Sequence, residues 1–413
     1  WKRYFFWSWR LSKKRVKYIK KLIIITTVPM SLATLVKGQA KYLSSYFDVK
    51  LVTSFSEKNQ EISKAEGVEL KSIDMTRQIT IIKDLKALIE LYKYFKNQKP
   101  DIVYTFTPKA GLLGMMASFL SRVPVRIHNV VGMPLMEATG KKFILLKFIE
   151  RLTYFFSTNL FCNSFGLKKF INENLTKKDV KVIAQGSING VDTEFFKNTK
   201  TLDEKELIRD KFKIDKKDFV ITFVGRIVKD KGINELIEAF INLSKKYNNL
   251  KLLLVGDYEE YLNPIKNENK ILIDSLDSII TVGFQNDIRD FLSITDLFVL
   301  PSYREGLPNS LIEAGSFGIP LLATNINGCN EIIDDGITGI LVEKKSAKKL
   351  EEAIDKLLED KELYNSIKLK VRDRIIEKYE QKYFWNELKN EIKKSIWQNF
   401  STIFNNTFFT YLY

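Results

Sequence analysis

From residue 22 onward, short runs rich in Val, Ile, Leu and Phe alternate with longer segments of helical period, and that alternation confines the chain to parallel β-α-β units. Strands are expected at residues 22–27, 48–53, 68–73, 101–106, 125–131, 159–163 and 180–184, and again at 219–225, 250–256, 279–282, 296–300, 319–323 and 339–342. Helices fill the gaps, most clearly over 31–46, 80–97 and 141–157, and a long helical pattern runs over 361–397. A polar, charge-rich stretch near 192–217 separates the two sets of strands. The expected fold class is α/β, with two Rossmann-like doubly wound domains facing an interdomain cleft. The expected divisions are a basic aromatic extension (1–21), a first Rossmann-like domain (22–198) and a second one (199–376). A helix packing back on the first domain (377–397) and an aromatic tail (398–413) complete the chain.

Composition narrows the function classes. With 413 residues and 45% hydrophobic content, each domain can bury a core without covalent staples. Cys162 and Cys329 lie far apart with no CxxC spacing, so they are expected as buried free thiols in a reducing compartment. The net charge is +16, but the first 21 residues carry nine cations and no acid, so the remaining 392 residues share only +7. Elsewhere the basic residues are scattered and no nucleic-acid motif occurs, so nucleic acid is not an expected partner and a basic nucleic-acid-binding protein is only a remote alternative suggested by net charge. No run of 18 apolar residues is present, so no spanning helix is expected. No signal-peptide apolar region follows the basic start, so the body is expected in the cytoplasm. The first methionine is Met30, beyond the first expected strand, so a start residue or further chain is expected upstream of Trp1. Trp1, Tyr4, Phe5, Phe6, Trp7 and Trp9 among those nine cations suit an anionic membrane surface; an extension without a partner is the alternative.

Three segments carry the chemistry. In Pro301-Ser302-Tyr303-Arg304-Glu305-Gly306-Leu307-Pro308-Asn309-Ser310-Leu311-Ile312-Glu313, an apolar strand ends in a Gly/Pro loop and a helix opens near Asn309, where free N–H groups favour a phosphate. Glu313, one turn into that helix, can accept from a ribose hydroxyl pair, and Glu305 stands above the carboxyl edge of the strand, where open α/β sheets place reacting groups. Upstream, Val220 to Val224 runs into Gly225-Arg226-Ile227-Val228-Lys229-Asp230-Lys231-Gly232, putting Arg226 and Lys231 at the same edge to neutralise a diphosphate. In the first half, Lys109 with Gly111 and Gly114 lies where a strand gives way to a helix and reads either as a seat for a second diphosphate or as helix-start packing glycines beside an exposed lysine. Lys141 to Phe156 mixes cations with ten apolar residues and reads either as an interfacial membrane helix or as a core helix with charged flanks.

These segments, together with Asn189-Gly190-Val191-Asp192, resemble the retaining nucleotide-sugar glycosyltransferases of GT-B family 4. Thr107-Pro108-Lys109-Ala110-Gly111-Leu112-Leu113-Gly114, Arg126-Ile127-His128, Gly132-Met133-Pro134-Leu135, Glu137-Ala138-Thr139-Gly140 and Asn163-Ser164-Phe165-Gly166 resemble its bacterial subgroup that builds capsule, exopolysaccharide or O-antigen units on a polyprenyl diphosphate. The resemblance spans residues 22–395. It implies a GT-B fold and transfer, with retention, of a HexNAc-type sugar from a UDP-sugar to a lipid-linked saccharide at the inner face of the plasma membrane. It implies that Arg226 and Lys231 hold the donor diphosphate, that Glu313 holds the ribose, and that Glu305 with Gly306, Leu307, Pro308, Asn309, Ser310 and Leu311 faces sugar and phosphates. Lys109, Gly111 and Gly132 fall on the acceptor side. It implies no metal or other cofactor in the donor site, in keeping with a chain that has no Asp-x-Asp triplet and a single His. His128 is then either a catalytic residue beside the reacting sugar or a half-buried strand residue. The family's glycine-rich first loop is replaced by Val28-Pro29-Met30-Ser31-Leu32, so close backbone approach to the donor from that side is not expected. A nucleotide-sugar epimerase of the same shape is the alternative activity, against which the spacing of Glu305 and Glu313 argues.

Overall fold

The computed structural model describes residues 19–78, 80–259 and 263–410. Thirteen parallel-paired strands form two sheets among these residues. The first sheet is built from β1 (Lys21–Ile25), β2 (Asp48–Thr53), β3 (Glu69–Ser72), β4 (Ile102–Phe106), β5 (Val125–Val130), β6 (Asn159–Cys162) and β7 (Val180–Val182), in the order β3-β2-β1-β4-β5-β6-β7. The second contains β8 (Phe219–Val224), β9 (Leu250–Val255), β10 (Ile279–Thr281), β11 (Leu297–Leu300), β12 (Leu321–Thr324) and β13 (Gly339–Val342), in the order β10-β9-β8-β11-β12-β13. Each expected strand is present with its ends shifted by two residues or fewer. The central strands are apolar on both faces because helices cover both; Leu22 to Ile25 and Leu297 to Leu300 are almost fully buried.

The described chain divides into two compact units, one of residues 19–129, 149–160 and 392–410, the other of 130–148 and 161–391. In the first, Ala87, Leu91 and Phe95 of the helix Ile81–Gln98 pack with Val103, Ala110 and Leu113. In the second, Phe223, Phe240 and Phe298 centre a core to which the helix Ala347–Glu359 adds Leu350, Ala353, Ile354 and Leu357, an i, i+3, i+4, i+7 stripe. That helix starts where the Ser346 hydroxyl accepts from the Lys349 amide at 3.2 Å. Cys162 and Cys329 are both buried and free.

Two expected helices are broken. The 31–46 helix is two pieces, Pro29–Leu35 and Gln39–Ser44, because Gly38 sits at φ 78° between them. The 361–397 pattern splits into Lys361–Tyr379 and Gln381–Thr410, since Glu380 leaves the helix (φ −54°, ψ 127°) to bridge Val191. There the Val191 amide donates to Tyr379 O at 2.8 Å and the Gln381 amide to Val191 O at 2.9 Å. Trp385 Nε1 donates to Asn189 Oδ1 at 2.7 Å, so the Asn-Gly-Val-Asp segment clasps the C-terminal helices. The membrane assignment for residues 1–18 falls outside the described residues, as do residues 411–413 of the aromatic tail.

Candidate active site

The site in the second unit forms at the carboxyl edge of β8 and β11, adjacent parallel strands. After β8 the chain passes Arg226, makes a short turn over Lys229–Lys231, and reaches Gly232 at φ 72°, from which the helix Ile233–Ser244 starts. A side chain at Gly232 would run into the carbonyl of Pro301, so the glycine lets this turn press against the loop leaving β11. The approach brings Lys231 Nζ to 2.6 Å from Glu305 Oε1, and the Ser302 hydroxyl donates to the same oxygen at 2.6 Å. Both side chains are mostly enclosed, at 19% and 11% exposure, which strengthens the pair relative to one in open water. Arg226 is half-exposed and reaches Glu259 at 2.5 Å.

The Glu305 loop is held from behind. Asn327 Nδ2 donates to the carbonyls of Glu305 and Gly306, each at 3.0 Å, and lies 3.1 Å from Ser164 Oγ. Gly306 packs so closely on the carbonyl of Val131 that a side chain there would overlap it. Glu331 accepts from the amides of Phe165 and Gly166 at 2.7 and 2.9 Å, at the start of the helix Phe165–Asn174. Asn327 and Glu331 escaped the sequence reading; the Asn-Gly turn dipeptide at 327–328 is the one local signal that marks them. Downstream, Leu307 and Leu311 are buried in the core and orient the loop. The helix Asn309–Ser316 follows Pro308 with no side-chain cap, which leaves its first amides for an anion, and Asn309 Oδ1 is buried without a hydrogen-bond partner among the described residues. Ser310 and Glu313 are half-buried on this helix.

The acceptor-side candidates resolve differently. Lys109, expected to meet a diphosphate, is committed within the first unit: its Nζ lies 2.5 Å from Asp84 Oδ2 and 2.7 Å from Gln78 O, with 9% of the side chain exposed. His128 is neither half-buried nor open to a ligand. It is 2% exposed, its Nδ1 is 2.9 Å from Thr105 Oγ1, and burial pushes its pKa down to about 4. Gly111 is small because the His128 ring presses on it, and Gly114 because Thr105 Cγ2 would lie 2.7 Å from a Cβ. Gly132, in the second unit, faces open space. The helix Gly140–Phe156 buries Glu150, Thr153 and Tyr154 but exposes Ile144, Leu145, Phe148 and Phe155. A cavity of about 1230 Å3 in the first unit, beside Tyr46, Lys393 and Trp397, touches none of the candidate residues.

Residues 204–374 match the family Glycosyl transferases group 1, and residues 27–164 match Glycosyl transferase 4-like. The chain is 34% identical over 94% of its length, and 97% of the relative's, to the capsular polysaccharide biosynthesis glycosyltransferase CapM of Staphylococcus aureus. It is 32% identical, over 73% of its length and 77% of the relative's, to the UDP-Gal:alpha-D-GlcNAc-diphosphoundecaprenol alpha-1,3-galactosyltransferase of Escherichia coli. Among solved structures, that of Anabaena HepE in complex with UDP and glucose aligns with a TM-score of 0.77 at 18% identity, covering 91% of this chain and all of that one. That of WaaG, a glycosyltransferase involved in lipopolysaccharide biosynthesis, aligns at 0.69 and 15%, covering 90% and 99%.

Proposed function

The chain belongs to the group 1, family 4-like bacterial glycosyltransferases, with a GT-B arrangement of two Rossmann-like sheets, and from this we propose that it moves a HexNAc-type sugar, with retention, from a UDP-sugar to a saccharide on a polyprenyl diphosphate. One observation carries the reading: Lys231 and Glu305 lie 2.6 Å apart at the sheet edge. In a nucleotide-sugar the diphosphate and the sugar are bonded neighbours, so the cation that meets one and the carboxylate that meets the other must be neighbours too. Relatives named for acceptors on diphosphoundecaprenol, in Escherichia coli and in Campylobacter jejuni, support the acceptor class.

In this mechanism the bond between the anomeric carbon and the phosphate oxygen breaks and its electron pair leaves on the diphosphate. Arg226, Lys231 and the uncapped amides at Asn309 to Leu311 take up that charge, and Glu305 faces the positive charge growing on the sugar. Glu313 holds the ribose. The acceptor hydroxyl bonds to the anomeric carbon on the same face, and its proton passes to the departing phosphate oxygen. The charge on the leaving group is met by these side chains and amides, so transfer proceeds without a divalent metal or other cofactor, at the cytoplasmic face of the plasma membrane. The test is a panel of UDP- and GDP-sugars read by thermal stabilisation, where a donor at 100 times its Kd adds about 2.7 kcal/mol. Labelled transfer to a polyprenyl-diphosphate saccharide, with and without EDTA, follows. Stabilisation by a UDP-sugar and EDTA-resistant transfer are expected; activity that EDTA abolishes and Mn2+ restores rejects the metal-free mechanism.

A further inference from the structure

With Lys109 tied to Asp84, the acceptor's charged group needs another seat. The second unit offers one: a cavity of about 700 Å3 whose lining includes Lys142, Arg226, Lys229, Arg304 and Lys345. Its two lining carboxylates, Asp230 and Glu235, offset only part of the charge of the five lining cations. Asp230 accepts from Arg304 at 2.9 Å through Oδ2, Glu235 accepts from the Tyr303 hydroxyl at 2.6 Å through Oε1, and their remaining oxygens are buried. Lys142 and Lys229 are exposed and have no carboxylate partner among the described residues. Lys345 lies 5.0 Å over the Tyr303 ring and holds a φ of 64°, a left-handed backbone that a lysine adopts at some cost. The cations thus converge on a concave surface, the condition for a ligand with more than one negative charge.

A second observation bears on the rest of that ligand. Lys142 belongs to the first turn of the helix Gly140–Phe156, and directly after it Ile144, Leu145 and Phe148 are 68%, 47% and 61% exposed. Lys141 and Lys142 precede this apolar stripe, and Lys147 lies within it. A cationic pocket, with an exposed apolar stripe on the same helix that supplies its Lys142, matches an amphiphile whose anionic head is joined to a hydrocarbon chain.

We propose that this pocket, through Lys142, Lys229, Arg304 and Lys345, seats the diphosphate of the lipid-linked acceptor, with Ile144, Leu145 and Phe148 against the lipid. The inference rests on the activity proposed above and names the acceptor subsite. Arg226, given above to the donor diphosphate, also lines this cavity, so the head group would lie close to the reacting sugar.

The experiment compares the full chain with its Lys142→Ala/Lys229→Ala variant. Each is sedimented with phosphatidylcholine vesicles carrying a polyprenyl diphosphate, or with vesicles brought to equal charge with phosphatidylglycerol, and each is titrated with UDP. The variant should bind the diphosphate vesicles about thirty-fold more weakly, as expected for two lysines lost near an anionic surface. It should change less on phosphatidylglycerol and keep its UDP affinity, and inorganic pyrophosphate should compete with the diphosphate vesicles for the native chain. Equal loss on both vesicle types would mean a general surface charge, and lost UDP affinity would mean an extension of the donor site; either overturns the proposal. So does pyrophosphate binding through these lysines with no vesicle binding, which would mark a site for a soluble diphosphate. If the vesicles bind through these lysines but no lipid-linked saccharide accepts sugar, the activity reading fails and the pocket stands. If transfer proceeds with an unchanged acceptor KM in the variant, the pocket fails and the activity stands.

Discussion

At the residue scale, the roles proposed for Glu305 on its loop and Glu313 on the following helix separate in kinetics. Glu313 would hold the ribose before and during transfer, so Glu313→Gln should weaken donor binding by about 1 to 3 kcal/mol, with KM carrying the loss. Glu305, enclosed beside Lys231 and Ser302, would meet charge that exists only as the bond loosens, so Glu305→Gln should lower kcat by about 10²-fold or more while donor Kd stays within a few-fold. Kinetics and calorimetry in one buffer decide; near-normal kcat in Glu305→Gln rejects the assignment. His128 and Glu150 make a second pair of single-residue predictions. Burial holds the His128 pKa at about 4, so the unfolded chain takes up the proton first and stability falls as pH drops from about 6.5 to 4, by about 3 kcal/mol. Burial raises the Glu150 pKa to about 7, so the folded chain keeps its proton longer and stability falls as pH rises from about 4.5 to 7, by a similar amount. The two oppose each other between pH 4.5 and 6.5. Urea unfolding across that range should show His128→Gln losing stability with rising pH relative to the native chain, and Glu150→Gln gaining it; slopes of the reverse sign would show that these groups are not buried as described.

At the scale of elements, the loop between β11 and the helix Asn309–Ser316 depends on a residue more than twenty positions downstream. Asn327 supplies the donor for two consecutive carbonyls, those of Glu305 and Gly306. Asn327→Ala leaves both without it, at a cost of about 1 to 3 kcal/mol in stability. It should also speed amide exchange over residues 305–308 and lower kcat more than donor affinity. Unchanged exchange there would mean that the loop is set by Leu307 and Leu311 alone. The elements themselves were legible: continuous runs of β-branched and apolar residues, bounded by polar turns, mark parallel strands that helices cover on both faces. What was not legible was where helices stop for tertiary reasons. Nothing local in Tyr379-Glu380-Gln381 ends a helix; the break exists because Val191, nearly two hundred residues away, offers backbone partners to its neighbours. Gly38, by contrast, is a helix stop written in the chain.

At the scale of the whole molecule, nine of the cations behind the +16 net charge lie in the first 21 residues. Each cation near an anionic membrane contributes about 1 kcal/mol, so deleting residues 1–20 should reduce co-sedimentation with anionic liposomes at low salt; unchanged co-sedimentation rejects a membrane role for this segment. No described helix is long and apolar enough to cross a membrane, so attachment by surface contact is the mode this prediction addresses. By itself the sequence determined the α/β class, the two sheets and the edge of the second sheet at which Lys231 meets Glu305, because periodicity and turn chemistry are local properties. Only the tertiary structure decided which polar groups remain available to a ligand. Lys109 and His128 carry the same local signals as functional residues, yet one is held by Asp84 and the other is sealed under Gly111. Conversely Lys142, Lys229, Arg304 and Lys345, from four separate segments of the chain, meet on one concave wall. A charge's pairing and burial depend on neighbours brought from far along the chain, and those neighbours are set by the packing of whole elements rather than by the residues beside it.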